Sequence, residues 1–296
     1  MEREGYLFDI ENFPTAEAPK KFRGIDTPLW TKNKALFIAR YLKTFTFVTK
    51  HGTYIDAFAG PQHEESRETT WAAKLVLENE PAWLRSFHLF DEDAQQINHL
   101  HGLKKHHFAE NPDLQGKRVV NVTHGDCNEK LPAFLSANPI RDREATFCLL
   151  DQRSTECSWE TVKKVAAHKD RSGINKIEIF YFLAQGWIDR TIKSWRNDVE
   201  ERCVRWWGKN DVMDFLKLRS YDRGRLLADR FKDELGYRHS YPFPIQKEGD
   251  RGAIMFWMVH ASDHDRAPDL MHQAYRHIGA GGGLDAPIEQ TEFEFD

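Results

Sequence analysis

YIDAFAGP, at residues 54–61, is a short apolar strand that runs into a turn at Gly60-Pro61. Short apolar segments recur at 87–90, 119–122, 147–150, 177–183 and 254–259, and helical patterns lie between or beside them at 30–47, 71–80, 93–104, 129–137, 159–168 and 263–277. This alternation predicts an α/β, Rossmann-like, doubly wound and mostly parallel sheet with crossover helices. Such sheets bind ligands at the carboxyl ends of their strands, so the residues after each strand are the first candidates for function.

The composition excludes two classes of protein. The 20 Phe, 9 Trp and 8 Tyr among 296 residues can bury a large core, which excludes a wholly disordered chain. No run of about 18 apolar residues occurs, which excludes an integral membrane protein and predicts no membrane partner. The formal net charge of −4 arises in the last twelve residues, which hold five acids and no base, so it indicates no partner.

The cysteines and the start of the chain predict a cytoplasmic protein. The four Cys, at 127, 148, 157 and 203, form no CxxC pair, and reduced thiols are their simplest interpretation. MEREGYLFDIENF lacks the basic and apolar regions of a secretory signal. Cys157 could act as a nucleophile, although a buried thiol is the more ordinary interpretation. No residues are assigned to a metal, because His101, His106 and His107 fit a solvated helix end.

Composition also predicts how the chain is organised. Residues 1–25 are polar, carry two prolines and are predicted to form an N-terminal arm. Residues 26–278 are predicted to form a single domain with a helical insertion at about 187–236. Residues 279–296, which begin with glycines and end with acids, are predicted to form a flexible acidic tail.

Four predicted strand ends carry polar residues that could form one site. A carboxylate at the end of the second strand, Asp91, can accept from both hydroxyls of a ribose, and an acid after the third strand can accept from a purine amine. The candidates for cofactor binding are Asp56, Ala57, Phe58, Ala59, Gly60, Pro61, Asp91, Asp126 and Cys127. Each acid alone is more often a helix N-cap, so the hypothesis depends on their order along the chain.

The order of these strand ends favours S-adenosylmethionine as the cofactor, since the G-x-G-x-x-G of nicotinamide enzymes is absent after the first strand. The candidates for catalysis follow the fourth strand. Asp151 could orient or deprotonate an acceptor, Gln152 could donate and accept, and Arg153 suits a phosphate or carboxylate. The sequence lacks the Asp/Asn-Pro-Pro-aromatic pattern of enzymes that methylate base amines at this point.

Several stretches resemble the three-Cys-motif partner protein (TcmP) family. They are YIDAFAGPQ (54–62), WAAKLVLENEPAWLRSFHLFDED (71–93), LLDQRSTECSWETVKKVAAHK (149–169) and KIEIFYFLAQGWIDR (176–190). The resemblance implies a methyltransferase fold of the class I S-adenosylmethionine type. It also implies a partner, a separate protein with a three-cysteine, radical-S-adenosylmethionine-like motif. It implies this fold, cofactor and partner rather than a particular reaction.

The segment 187–232 has two interpretations. Its twelve Lys and Arg exceed its eight Asp and Glu by four, and Trp187, Trp195, Trp206 and Trp207 are interleaved with them, as in a nucleic-acid-binding surface. The alternative is a helical insertion whose tryptophans belong to the core. Two functions therefore remain open. The first is a methyltransferase, with nucleic acid as a possible acceptor of the methyl group. The second is a non-catalytic binding subunit that keeps the methyltransferase fold.

Overall fold

The computed structural model describes residues 29–61, 70–138, 140–171, 173–193, 196–247 and 253–284. The predicted arm at 1–25 and the acidic part of the predicted tail, from 285 onward, lie outside these residues. No helix in the described ranges combines the length and the apolar character that crossing a bilayer requires.

Eight strands in the described part of the chain form one sheet. They are β1 Leu29–Trp30, β2 Gly52–Asp56, β3 Leu84–Asp91, β4 Val119–His124, β5 Thr146–Leu150, β6 Glu178–Ala184, β7 His239–Gln246 and β8 Ile254–Ser262. Their order across the sheet is β1-β7-β8-β6-β5-β2-β3-β4. β8 is antiparallel to both of its neighbours, and the other pairings are parallel. The predicted doubly wound, mostly parallel sheet is confirmed.

Helices connect these strands. They are α1 Lys34–Thr49, α2 Ala72–Leu77, α3 Ala94–Glu110, α4 Cys127–Ala137, α5 Trp159–Ala167, α6 Gln185–Lys193, α7 Asn197–Trp207, α8 Val212–Lys217, α9 Ser220–Asp233 and α10 Ala267–Gly279. Helices α6 to α9 stand between β6 and β7, where the sequence predicts a helical insertion.

The central strands are apolar because helices cover both of their faces. Every residue of β2, β5 and β6 is buried, which is the pattern of a parallel strand in the middle of a doubly wound sheet. Aromatic rings fill the space between this sheet and α1. The ring of Phe180 lies 4.6 Å from that of Phe147 and 4.8 Å from that of Tyr41, between centroids. These contacts hold α1 against the sheet.

Strand β7 is an element that the apolar patterns of the sequence do not predict. Its sequence, HSYPFPIQ, contains Pro242 and Pro244, which cannot donate to a strand ladder. The strand forms because only one of its edges is fully paired, along β8, while β1 reaches it only at Ile245 and Gln246. Prolines are tolerated where their missing N–H faces away from a partner strand.

Candidate functional site

A cavity of about 590 Å³ opens at the carboxyl ends of β2, β3, β4 and β5. The residues that line it are Ala57, Phe58, Asp91, Glu92, Asp93, Gln96, Asp126, Cys127, Asn128, Arg153, Ser154, Thr155, Glu156, Arg202 and Arg205. The crevice lies where ligands bind in doubly wound sheets, because the connections leave the central strands in opposite directions there. We call this cavity the strand-end cleft.

Asp91 lies at the wall of the strand-end cleft, and its carboxylate is fixed by two backbone groups. The N–H of Gly60 donates to Oδ2 at 2.9 Å, and that of Asp93 donates to Oδ1 at 3.0 Å. Each carboxylate oxygen can accept more than one hydrogen bond, so Asp91 retains capacity for hydroxyl donors of a ligand. The sequence predicts this carboxylate at the end of the second strand of the alternating pattern, and in the structure Asp91 is the last residue of β3.

Asp126 is the N-cap residue of helix α4, which is the usual role of an acid at a strand end. Its Oδ1 accepts from the backbone N–H and from the side-chain amide of Asn128, both at 2.8 Å. Cys127 follows it on the cleft wall, where a hydrogen bond with the thiol of Cys157 and burial both raise the pKa of Cys127. Helix capping therefore does not exclude a role in binding, since Asp126 also lines the cleft.

The residues after β2 divide between the cleft and the interior. Ala57 lines the cleft, and Phe58 borders both the cleft and a small space of about 20 Å³ next to α1 and Asp151. Ala59 and Gly60 border the small space. A Cβ at Gly60 would lie 2.4 Å from Cβ of Gln96, so this glycine allows the turn to pack against α3. The sequence instead predicts Gly60 as a cofactor-binding residue. Pro61 is buried, and the next residue, Gln62, lies outside the described residues.

Asp56, which the sequence predicts as a cofactor ligand, is inside the protein. It is 1% exposed, and its Oδ2 accepts from the hydroxyl of Tyr54 at 2.8 Å. Its Oδ1 accepts from the backbone N–H of Phe58 at 3.1 Å. Burial raises the pKa of Asp56 to about 7, although both hydrogen bonds favour the ionised form. Asp56 thus holds the end of β2 in shape.

The three residues predicted to form a catalytic group after β5 do not form one site. Asp151 is buried and accepts from Nζ of Lys34 at 2.8 Å, in an ion pair that faces α1. Gln152 is fully buried; its amide donates to the carbonyl oxygen of Phe182 at 3.2 Å and accepts from the backbone N–H of Cys157 at 3.0 Å. Only Arg153 lines the strand-end cleft.

The tryptophans of the insertion belong mainly to the core. Trp206 and Trp207 are buried, and the ring of Trp207 stacks on Phe215 with 4.1 Å between centroids. The guanidinium of Arg230 lies 3.9 Å from the ring of Trp159 and 4.0 Å from that of Trp207. These rings are covered and cannot stack on bases. Trp187 is half-buried, while Trp195 lies outside the described residues.

Two arginines of helix α7, Arg202 and Arg205, reach the strand-end cleft. Both belong to the basic segment 187–232, but no pattern in the sequence places them beside Asp91 and Asp126. Gln96 and Thr155 also line the cleft, and each has a buried side-chain oxygen without a hydrogen-bond partner among the described residues. No local pattern marks these residues, because they converge only after the insertion folds back over the sheet.

The strand order and the reversed β8 define the class of fold. Apart from the two-residue β1, the sheet has the order of a class I S-adenosylmethionine-dependent methyltransferase, and this chain has that fold. Among solved structures, the chain is similar to a candidate S-adenosyl-L-methionine-dependent methyltransferase of Methanococcus maripaludis. The two are 16% identical with a TM-score of 0.32, over 83% of this chain and 95% of that one.

The class of fold is assigned from the strand order and not from this similarity. No protein-family model matches the chain, and no curated protein sequence matches it. Its resemblance to the TcmP family therefore stays a prediction.

Proposed function

We propose that the protein is a methyltransferase that uses S-adenosylmethionine. The observation that carries the proposal is the strand-end cleft, which stands at the ligand-binding edge of a class I sheet. Its volume of about 590 Å³ lies within the usual range for pockets that hold a ligand of this size. The single domain proposed at 26–278 contains the cleft and the sheet.

The acids of the cleft suit this cofactor. Asp91 is fixed with spare acceptor capacity for the two ribose hydroxyls. Asp126 could accept from the adenine amine, and Gln96 has a buried amide oxygen without a partner among the described residues. The bound cofactor would supply a methyl group on a positively charged sulfonium. The acids that line the cleft favour a ligand with this positive charge.

Catalysis in this cleft would consist mainly of positioning. A methyl group transfers when a nucleophile is held in line with the bond that breaks, and orientation alone can supply most of the acceleration. Asp151 is paired with Lys34 and turned towards α1, so we assign it to the support of this edge rather than to proton removal. Arg153 remains as a group that could orient an acceptor.

Calorimetric titration of the full chain with S-adenosylmethionine and S-adenosylhomocysteine tests the proposal. We expect micromolar binding of both ligands. Asp91→Ala should weaken binding by about a hundredfold or more, because it removes an acceptor for two hydroxyls in a partly desolvated cleft. Asp91→Ala also removes the acceptor of Gly60 N–H, so circular dichroism must show that the variant remains folded.

Asp214→Ala is the matched control. It removes an acid of the insertion whose side chain is 82% exposed and does not line the cleft. Its affinity for both ligands should equal that of the unsubstituted chain. Equal affinities for the Asp91→Ala chain would overturn the assignment of Asp91, and absence of binding at millimolar ligand would overturn the cofactor.

A second candidate function is that of a non-catalytic subunit. The inward positions of Asp151 and Gln152 favour it, because they remove two polar groups from the place where an acceptor would react. In this case the protein would serve the three-Cys-motif protein that the TcmP resemblance implies. Co-purification of the two proteins as a stable complex, together with no methyl transfer by this chain alone, would support it over the enzyme.

A further inference from the structure

Three guanidinium groups line the strand-end cleft. Arg153 comes from the loop after β5, and Arg202 and Arg205 come from helix α7. Among the described residues, none of the three forms an ion pair, whereas Arg223 and Arg230 of the same insertion pair with Asp189 at 2.8 Å and Glu234 at 2.7 Å. The guanidinium carbon of Arg202 lies 5.7 Å from the ring centroid of Trp187.

The acids of the cleft are held on other elements. Asp91 accepts from the backbone N–H of Gly60 in the turn after β2, and Asp93 accepts from that of Gln95 at the start of α3. Asp126 accepts from Asn128 at the start of α4. Glu156 shares the loop of Arg153, but its Oε2 accepts from the backbone N–H groups of Arg153 and Ser154. The cleft thus has an acidic part after β3 and β4 and a basic part formed by the loop after β5 and by α7.

A buried hydroxyl next to Arg153 also lacks a partner. Thr155 is 1% exposed and lines the cleft, yet its Oγ1 has no hydrogen-bond partner among the described residues. A buried hydroxyl without a partner destabilises the folded chain, so such groups are uncommon unless a ligand or a water satisfies them. An anion held by Arg153 would offer an acceptor for this hydroxyl.

The number of donors favours a phosphate group as the anion. A carboxylate has two acceptor oxygens, whereas a phosphate group carries a charge of about −1.5 to −2 and three strong acceptor oxygens, which suits three guanidinium groups and a hydroxyl. Planar guanidinium groups also bind phosphate through paired hydrogen bonds. We infer that the basic part of the cleft binds a phosphate group of the methyl acceptor. This inference rests on the proposed function, which places the cofactor in the acidic part.

Titration with phosphate compounds tests the inference on the full chain, with and without saturating S-adenosylhomocysteine. The probes are inorganic pyrophosphate, a nucleoside monophosphate and a single-stranded oligonucleotide of twelve bases. We expect Arg202→Gln and Arg205→Gln each to weaken binding of the probe about tenfold, as the loss of a charge-assisted hydrogen bond predicts. Affinity for S-adenosylhomocysteine should change less than about twofold, because these arginines belong to the basic part.

Two further variants separate binding from folding. Arg219→Gln removes an exposed arginine of the insertion that does not line the cleft, and it should leave every affinity unchanged. Thr155→Val should weaken binding of the probe severalfold without lowering the midpoint of thermal unfolding, because the free chain loses only an unsatisfied hydroxyl. A purely structural Thr155 would instead change the unfolding midpoint and leave the affinity unchanged.

The outcomes distinguish this inference from the proposed function. Binding of pyrophosphate and the mononucleotide supports a small phosphate ester as the acceptor. Binding of the oligonucleotide alone supports a nucleic acid backbone. Either conclusion also requires that the Arg202→Gln chain bind the probe more weakly than the unsubstituted chain. Binding of these probes without any binding of S-adenosylhomocysteine would reject the proposed function but keep the phosphate site. Equal binding by the unsubstituted chain and the arginine variants, or no binding at about 5 mM pyrophosphate, would overturn the inference.

Discussion

Asp56 is a carboxyl group that the fold keeps away from water. Its pKa of about 7 lies above its ordinary value because burial penalises the charged form. Between the ordinary pKa and pH 7 the folded chain therefore binds one more proton than the unfolded chain. The free energy of unfolding must fall as pH rises through that interval, by up to about 1.4 kcal/mol per pH unit from this group.

Asp56→Asn should flatten this dependence, because an amide has no proton to lose in the interval. We expect the free energy of unfolding of the unsubstituted chain to fall more steeply between about pH 5 and 7 than that of the variant. Urea denaturation at several pH values in this interval measures both slopes. Asp214→Asn, at an exposed site, should keep the steep slope. Parallel slopes for the Asp56→Asn chain and the unsubstituted chain would contradict the buried position.

The sequence places Asp56 at the correct strand end but not in the correct environment. Side chains two residues apart in a strand point to the same face, so Asp56 shares a face with Tyr54 and meets its hydroxyl. That spacing is visible in the sequence. The ion pair of Asp151 is not, because its partner Lys34 lies 117 residues away along the chain. Local patterns locate strand ends, whereas such pairs depend on the packing of α1 over the sheet.

At the scale of the element, two helical glycines differ in their surroundings. Gly102 lies in α3, and a Cβ there would meet no atom within 4 Å. Gly224 lies in α9 and packs on β8, where a Cβ would come within 2.6 Å of the ring of Trp257. The same substitution should therefore change the free energy of unfolding in opposite directions.

Gly102→Ala should stabilise the protein by about 0.5–1 kcal/mol, because alanine has the higher helix propensity. Gly224→Ala should destabilise it by about 1–3 kcal/mol, since the ring of Trp257 must move or α9 must shift away from β8. Thermal and urea unfolding of the two variants measure the pair, and each is the control of the other. A stabilised Gly224→Ala chain would show that α9 does not pack on β8 this closely.

Element prediction from sequence succeeds where an apolar period is unbroken. The central strands and most crossover helices follow from their pattern, with ends that differ by a few residues. Strand β7 does not, because its two prolines are typical of loops unless the partner edge is known. The insertion is predicted as helical, but the convergence of Arg202 and Arg205 on the cleft requires its orientation, which no local pattern contains.

At the scale of the whole molecule, all four cysteines are buried. Burial raises the pKa of Cys148 and Cys203, and at Cys127 it acts together with the thiol of Cys157. Thiols react as thiolates, so both the burial and the raised pKa values oppose modification. The folded chain should react slowly with a thiol reagent such as Ellman's reagent, and the unfolded chain should release four equivalents.

The first thiol to react should be that of Cys127, because it alone among the four lines the strand-end cleft. Cys127→Ser should remove the fastest phase of the reaction, and Cys203→Ser, deep in the insertion, should leave it unchanged. Reaction of one equivalent within seconds of mixing, in both variants, would contradict the burial of the other thiols.

The prolines of β7 also bear on how copies of this chain could associate. On the side of β7 that does not face β8, Pro242 and Pro244 have no N–H to offer, and β1 already covers Ile245 and Gln246. A strand from a second molecule could not form a continuous ladder there. Strand β4, at the other edge, has no proline and pairs only with β3 among the described residues. In the described part of the chain, β4 is thus the edge at which the sheet could grow between molecules, which would give symmetric pairs through β4 instead of open fibres.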